Sequence, residues 1–160
     1  MRILALAGGF AGAVALSQFP EFSQQYVQRL SGAVDELRAV TIAFDTTARV
    51  AGLTREEAFD KMEGSEFQIR LRDDMRSRIY RYERLNADYQ ALAAAAPLER
   101  LARAYRIRDA ELVQRTWDDY QPAVPVTSEG LVSAGIGFAA GWGLVTLLLG
   151  LALRPLRRLA

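Results

Sequence analysis

The sequence predicts an all-α protein in which two transmembrane helices flank a long, coiled-coil-like antiparallel helical hairpin outside the membrane. Two uncharged apolar runs lie near the ends of the 160 residues. Between them apolar residues recur at steps of three and four, which is typical of amphipathic helices. The predicted units are a first span at 1–19, a helical domain at 20–127, a second span at 128–154 and a basic tail at 155–160.

The first apolar run, Ile3 to Phe19, contains 17 residues without a charge. As a helix it is about 26 Å long, which is at the lower limit for a membrane span. A cleaved signal peptide is the alternative, because Arg2, the apolar stretch and the small residues Ala13 and Ala15 imitate the three regions of one. We expect a retained anchor, since the chain carries the segment.

The domain between the spans begins with a long helix at about 21–51. Pro20 removes a backbone donor, so we expect a kink or break where the first span ends. Gly52 ends the helix, and a short helix at about 54–63 follows, with Thr54 and Glu57 as its capping box. One face of the long helix carries the first half of a predicted hairpin seam: Tyr26, Leu30, Leu37 and Phe44.

A second long helix is predicted at about 66–96, ending before Pro97. The two long helices match in length at about 46 Å, which favours an antiparallel hairpin. We expect one or two short helices at 97–120, packed on the base of the hairpin or along the lipid headgroups, where Trp117 and Tyr120 suit a membrane interface. The second half of the seam is Met75, Ile79, Tyr82 and Tyr89.

The second apolar run, Gly130 to Leu153, has 24 uncharged residues, about 36 Å of helix. It is the strongest membrane signal in the sequence, and Arg154 follows it directly. Thr127 or Ser128 can cap its start.

Both runs are rich in small residues, which let membrane helices approach closely. Glycine and alanine are also common in membrane helices in general, so the pattern alone leaves their role open. Trp142 lies near the middle of its span, and we expect it to face a neighbouring helix or lipid rather than a cofactor. The candidates for helix packing are Gly8, Gly12, Gly130, Ala134, Gly137, Gly141 and Trp142.

The distribution of charge predicts the orientation. All 19 acidic residues lie between Pro20 and Glu129, together with 16 of the 20 basic ones. The remaining four basic residues lie outside the spans, at the chain ends: Arg2, Arg154, Arg157 and Arg158. By the positive-inside rule we expect both termini to be cytoplasmic, and in a bacterium the central domain would be periplasmic.

The side-chain inventory argues against catalysis. The chain has no cysteine and no histidine, which excludes disulfides, thiol nucleophiles, histidine triads and metal ligation by these groups. Adjacent acidic residues such as Asp73 and Asp74, or Asp118 and Asp119, point about 100° apart on a helix and do not converge. We therefore predict no enzyme, no cofactor and no metal site.

The densest basic stretch runs from Arg70 to Arg84. It suggests either nucleic acid or anionic headgroups as partners, or a solvated helix face laced by Asp73, Asp74 and Glu83. We favour the solvated face and predict no nucleic-acid partner.

Three stretches resemble the bacterial DUF2937 proteins. The first is Leu16-Ser17-Gln18-Phe19-Pro20-Glu21-Phe22, continued by Gln24-Gln25-Tyr26 and by Leu30 to Leu37. The others are Gly52 to Ala58 and the segment from Trp117 through Pro122, Val124 and Pro125 to Gly130. The resemblance implies an inner-membrane setting. It carries over no catalytic residue, because none is assigned in the family.

We expect a non-enzymatic accessory or scaffold subunit that packs into a larger inner-membrane assembly or into copies of itself. Its partners are then the lipid bilayer and either other membrane subunits or a second copy. The alternative is a periplasmic adaptor in envelope transport or lipid handling. A strip of exposed apolar residues along the hairpin would favour that alternative.

Overall fold

The computed structural model describes residues 2–122 and 127–153, and all regular structure within them is helical. The prediction of an all-α chain is confirmed. The predicted tail at 155–160, Arg154 and part of the link into the last helix lie outside the described residues. The elements are α1 (Arg2–Ser17), α2 (Phe19–Val50), α3 (Arg55–Asp60), α4 (Glu66–Ala93), α5 (Pro97–Ala102), a 3₁₀ turn (Ala104–Arg106), α6 (Ala110–Asp118) and α7 (Ser128–Leu153).

Two helical stretches are long and apolar enough to cross a membrane. One is the nearly continuous stretch Arg2–Val50, near the N-terminus, and the other is Ser128–Ala152 in α7. Only 17% and 11% of their most apolar windows are buried within the protein. The core helix of a soluble domain is mostly buried, so these two helices present apolar surface outward.

A shallow break separates α1 from α2. Gln18 is the one residue between them, and its φ of −82° and ψ of −15° remain helical. Pro20 lies in the first turn of α2, where its missing N–H costs no intrahelical hydrogen bond. The proline therefore starts a new helix without turning the chain sharply.

The far end of α2 is closed by a Schellman motif. Gly52 has a φ of +73°, which glycine adopts without strain. Its N–H donates to Arg49 (2.9 Å) and the N–H of Leu53 donates to Ala48 (2.9 Å). The capping box of Thr54 and Glu57 starts α3 directly afterwards, as expected.

Ser65 and Gln68 form a second capping box at the start of α4, which the sequence analysis did not predict. α4 ends at Ala93, three residues before the predicted Ala96, and Pro97 opens α5 instead. α2 packs against α4, α5 and α6, while α1 packs against α7. The domain core therefore lies along α2, and the apolar helix pair is a separate packing unit.

Candidate functional site

The two apolar helices pack on each other through glycines. A Cβ on Gly12 or Gly137 would collide with the carbonyl oxygen of the other. A Cβ on Gly141 would collide with the carbonyl oxygen of Gly8, and one on Gly8 with the side chain of Val145. We call these four glycines the helix-pair seam. Because the backbones themselves touch, the seam holds α1 and α7 together in antiparallel directions.

Phe138 closes one side of the seam. Its ring covers Gly9 and meets Phe10 edge to face, with 5.5 Å between ring centroids. Of the other predicted packing residues in α7, Gly130 is buried and Ala134 is half-buried. The Gly130 N–H donates to the hydroxyl of Thr127 (3.1 Å), which caps the start of α7.

Trp142 lies on a different face, outside the seam. Its side chain is 46% exposed and lines an open groove of about 240 Å³ between α1 and α7. Thr146 also lines the groove, but its hydroxyl donates to the carbonyl of Trp142 in its own helix (2.7 Å). The full lining is Arg2, Ala5, Trp142, Thr146, Leu149 and Gly150.

An aromatic collar of Phe22, Trp117 and Tyr120 surrounds the junction of α1 and α2. Phe22 packs edge to face on both partners, at centroid distances of 6.2 and 5.7 Å. The Tyr120 hydroxyl donates to the side-chain oxygen of Gln18 (2.9 Å). Arg29 pairs with Asp119 beside the collar. The collar thus ties the end of α6 to the break between α1 and α2.

The eight residues predicted for the hairpin seam all lie on inward faces of α2 and α4. Tyr26, Leu30 and Ile79 are buried, and the other five are half-buried. One cluster joins Tyr26 and Leu30 of α2 to Leu85 and Leu92 of α4. The half-buried residues are Leu37, Phe44, Met75, Tyr82 and Tyr89.

Two buried carboxylates hold the segment after α4 against the core. Asp88 is 1% exposed and accepts from Arg106 (3.0 Å) and Arg108 (3.0 Å). Asp109 is 5% exposed and accepts from Arg81 (3.1 Å) and Arg84 (2.7 Å). We call these six residues the base cluster: Asp88, Asp109, Arg81, Arg84, Arg106 and Arg108. Each buried charge is therefore compensated by two guanidinium groups.

Two further arginines close the C-terminal end of α4. Arg100 is buried and donates to the carbonyl of Leu92 (3.1 Å) and to Gln24 of α2 (2.6 Å). Arg103 donates to the carbonyl of Ala91 (2.6 Å). These bonds satisfy carbonyls that the helix itself leaves unpaired at its end.

Tyr26 adds a buried hydroxyl to the base cluster. Its OH has no hydrogen-bond partner of ordinary geometry among the described residues. Burial raises the pKa of this phenol, and the nearby carboxylates of Asp109 and Asp88 act in the same direction, against backbone contacts that lower it.

The basic stretch in α4 is neutralised residue by residue. Asp73 and Asp74 take part, as expected, through Arg72 and Arg78. Glu83 instead pairs with Arg55 of α3. The other partners are Glu66 for Arg70, Glu63 for Arg72, Glu56 and Asp60 for Arg76, Glu111 and Asp109 for Arg81, and Asp109 for Arg84.

The loop end of the domain has its own small core. Phe44 stacks on Phe59 with 4.7 Å between centroids, and the Arg76 guanidinium lies 4.8 Å from the Phe59 ring. Arg55 donates twice to Asp45, at 2.7 and 2.6 Å. These hydrogen bonds lower the pKa of the Asp45 carboxyl.

The described residues contain no group of three or more acidic side chains placed to hold a metal ion. Sequence reasoning missed the base cluster, although the unusual frequency of arginine from Arg100 to Arg108 was a visible signal. Surfaces open to other molecules include the outward faces of the helix pair, the groove beside Trp142 and the apolar side chains at the loop end of the domain.

Comparison with known proteins adds a family but no activity. No curated protein and no solved structure matches the chain. One family model matches residues 1–158, essentially the whole length. The chain therefore belongs to the family described as "Protein of unknown function (DUF2937)", as the resemblance in its sequence predicted.

Proposed function

We propose that the chain is a non-enzymatic accessory or scaffold subunit of a larger assembly in a bacterial inner membrane. In this proposal α1 and α7 span the bilayer, and α2 to α6 form a helical hairpin domain in the periplasm. The observation that carries it is the helix-pair seam. The seam glycines of α1 and α7 pack against the other helix of the same chain. The opposite faces of both helices can therefore contact the bilayer and neighbouring subunits.

The outward face of α7 supports a contact with other helices. Leu144, Leu147, Leu148 and Leu151 follow the i, i+3, i+4, i+7 pattern of one helix face. Each of the four is about half exposed, from 48% to 59%. A large continuous apolar surface of this kind belongs against lipid or against another membrane helix.

The aromatic collar supports a bilayer surface at the junction of α1 and α2. Trp117 is 66% exposed and lies beside the end of α1, where an interface would cross the molecule. In the sequence, all acidic residues lie between Pro20 and Glu129, and the four arginines at the chain ends lie outside the two spans. A reporter fused after Ala160 is expected to be active in the cytoplasm. Activity confined to the periplasm would reverse the proposed orientation.

The charged groups of the domain support a structural role. The carboxylates of Asp88 and Asp109 pair with arginines, and each arginine from Arg70 to Arg84 pairs with at least one carboxylate. Such pairs hold helices in register and leave few reactive groups free. The lack of histidine and cysteine points the same way.

Purification from the native host in mild detergent, followed by mass spectrometry of the intact complex, tests the proposal. We expect a defined oligomer or a stable complex with another membrane protein. The variant with Leu144→Ala, Leu147→Ala and Leu151→Ala should remain in the membrane but lose that partner. Gly135→Ala is the matched control, because open space surrounds a Cβ there. A monodisperse monomer from the native chain contradicts the proposal.

A second candidate function is a periplasmic adaptor in envelope transport or lipid handling. Exposed apolar residues at the start of α4 favour it: Phe67 is 72% exposed, Ile69 41% and Leu71 38%. Phe67 and Leu71 are four residues apart and share a face. A photo-reactive amino acid at Phe67 should crosslink to an envelope protein, whereas the same group at exposed Ser77 should not. No adduct at Phe67 in intact cells counts against an adaptor.

A further inference from the structure

We propose that the groove beside Trp142 binds one acyl chain of an anionic phospholipid, with the lipid phosphate at Arg2. The inference rests on the proposed membrane span of α1 and α7. It assigns a ligand class to a concave face of the helix pair.

The shape of the groove suits a hydrocarbon chain. From Trp142 to Gly150 it extends for about 12 Å along α7, from the middle of the apolar helix towards its end. Ala5, Leu149 and Gly150 supply apolar walls, and a Cβ at Gly150 would meet nothing within 4 Å. The hydroxyl of Thr146 is engaged in its own helix, so it presents no free donor to the groove.

The charge at the mouth of the groove selects an anionic headgroup. Arg2 is exposed and pairs with no carboxylate within residues 2–122 and 127–153. The nearest acidic residues along the sequence are Glu21 and Glu129, at the opposite ends of both helices. Within the described residues, Arg2 is therefore open to a negative charge from outside the helix pair. A phosphate at the bilayer surface matches a guanidinium through paired hydrogen bonds.

Quenching of Trp142 fluorescence by brominated lipid tests the inference. The full chain with Trp117→Phe, which leaves Trp142 as its sole tryptophan, is reconstituted in vesicles of phosphatidylglycerol and phosphatidylcholine. Two vesicle preparations have the same lipid ratio and differ only in which of the two lipids carries bromine on its acyl chains. Because the surface charge is the same in both, the comparison reports which lipid occupies the groove.

We expect stronger quenching when phosphatidylglycerol carries the bromine. The apparent enrichment should be about fivefold, the factor for one basic residue at an anionic surface. Arg2→Gln should remove most of the preference. Gly150→Leu should fill the groove and lower quenching by both lipids. Gly135→Leu adds the same side chain in open space away from the groove and should change neither.

The outcomes separate this inference from the proposed span, which alkaline carbonate extraction tests independently. A chain that resists extraction but shows equal quenching by both lipids overturns the lipid preference and leaves the span intact. Absence of quenching in a resistant chain means that another helix covers Trp142, and it also overturns the inference. If carbonate releases the chain from the membrane, both the proposed span and the lipid-binding inference are wrong. A preference that survives Arg2→Gln shows that Arg2 does not hold the phosphate.

Discussion

The guanidinium of Arg106 donates a 3.0 Å hydrogen bond to the carboxylate of Asp88, which is 1% exposed. Arg108 reaches the other oxygen of the same carboxylate at 3.0 Å. Asp88 is therefore a buried anion that is compensated by the last residue of the 3₁₀ turn, Arg106, and by Arg108 in the link to α6. Removing the anion leaves two guanidinium groups facing a buried site.

Asp88→Asn is expected to destabilise the domain by about 1–3 kcal/mol, which is less than the roughly 3–5 kcal/mol for breaking a fully buried pair, because both arginines remain partly exposed. Urea unfolding followed by circular dichroism measures the change. Asp74→Asn is the matched control, since its partner Arg78 lies four residues away on the surface of the same helix. The control should cost less than about 1 kcal/mol. Equal losses in the two variants would show that burial of Asp88 contributes nothing.

Gly137→Ala is expected to destabilise the helix pair, because the added methyl group collides with the carbonyl oxygen of Gly12. The cost should be about 1–3 kcal/mol, as for other overpacked sites. Gly135→Ala adds the same methyl group two residues away in open space and should not destabilise. Thermal unfolding in detergent micelles compares the two. A Gly137→Ala protein as stable as wild type would mean that α1 and α7 do not touch at the seam.

Tyr26→Phe is expected to be neutral or stabilising, because the buried hydroxyl lacks a hydrogen-bond partner of ordinary geometry. Tyr120→Phe removes a bond to Gln18 and should cost about 1 kcal/mol. A clear loss of stability in Tyr26→Phe would contradict the first expectation and would indicate a bond to the nearby backbone of Asp109.

Tyr26 should also make the free energy of unfolding depend on pH in the alkaline range. The pKa of Tyr26 is raised in the folded state by burial, so its protonated form stabilises the fold below the ordinary tyrosine pKa of about 10. That contribution is lost as the pH rises through the higher folded value. Wild type should therefore lose more stability than Tyr26→Phe above about pH 10. Parallel pH profiles for the two proteins would rule out a shifted phenol.

Asp45 should make the free energy of unfolding depend on pH in the acidic range. Hydrogen bonds from Arg55 lower its pKa, so its contribution is present above the ordinary carboxyl pKa of about 4 and is lost as the pH falls through the lower folded value. Wild type should exceed both Asp45→Asn and Arg55→Gln in stability at about pH 6. The gap should narrow below about pH 4. A gap that stays constant down to about pH 2.5 would show that the pair does not form.

Most of the helices could be predicted from patterns of residues that are close together in the sequence. The positions of Tyr26 and Leu30 follow from helical periodicity, and the capping box of Thr54 and Glu57 follows from a spacing of three. In each case the interacting groups are neighbours along one helix, so no tertiary information is required. The glycine pattern in α1 and α7 identified packing residues, but pairing Gly12 with Gly137 needed the structure.

The base cluster could not be predicted in the same way. Asp88 pairs with arginines about 20 residues further along the chain, and Asp109 pairs with arginines in the preceding long helix. With nineteen arginines in the sequence, pairwise choice at such separations is not determined by spacing. Glu83 is an example, because it forms an ion pair with Arg55 of α3 rather than with an arginine of its own helix.

The shallow break at Gln18 has a mechanical consequence. One helical residue separates α1 from α2, and Tyr120 holds that residue from the other side. The domain is thus attached to the helix pair at two neighbouring points. Val50 lies about 46 Å along α2 from Phe19, so a change of about 10° in the tilt of the helix pair moves it by roughly 8 Å. The domain therefore acts as a lever arm: a small change in the tilt of α1 and α7 produces a larger displacement at its loop end.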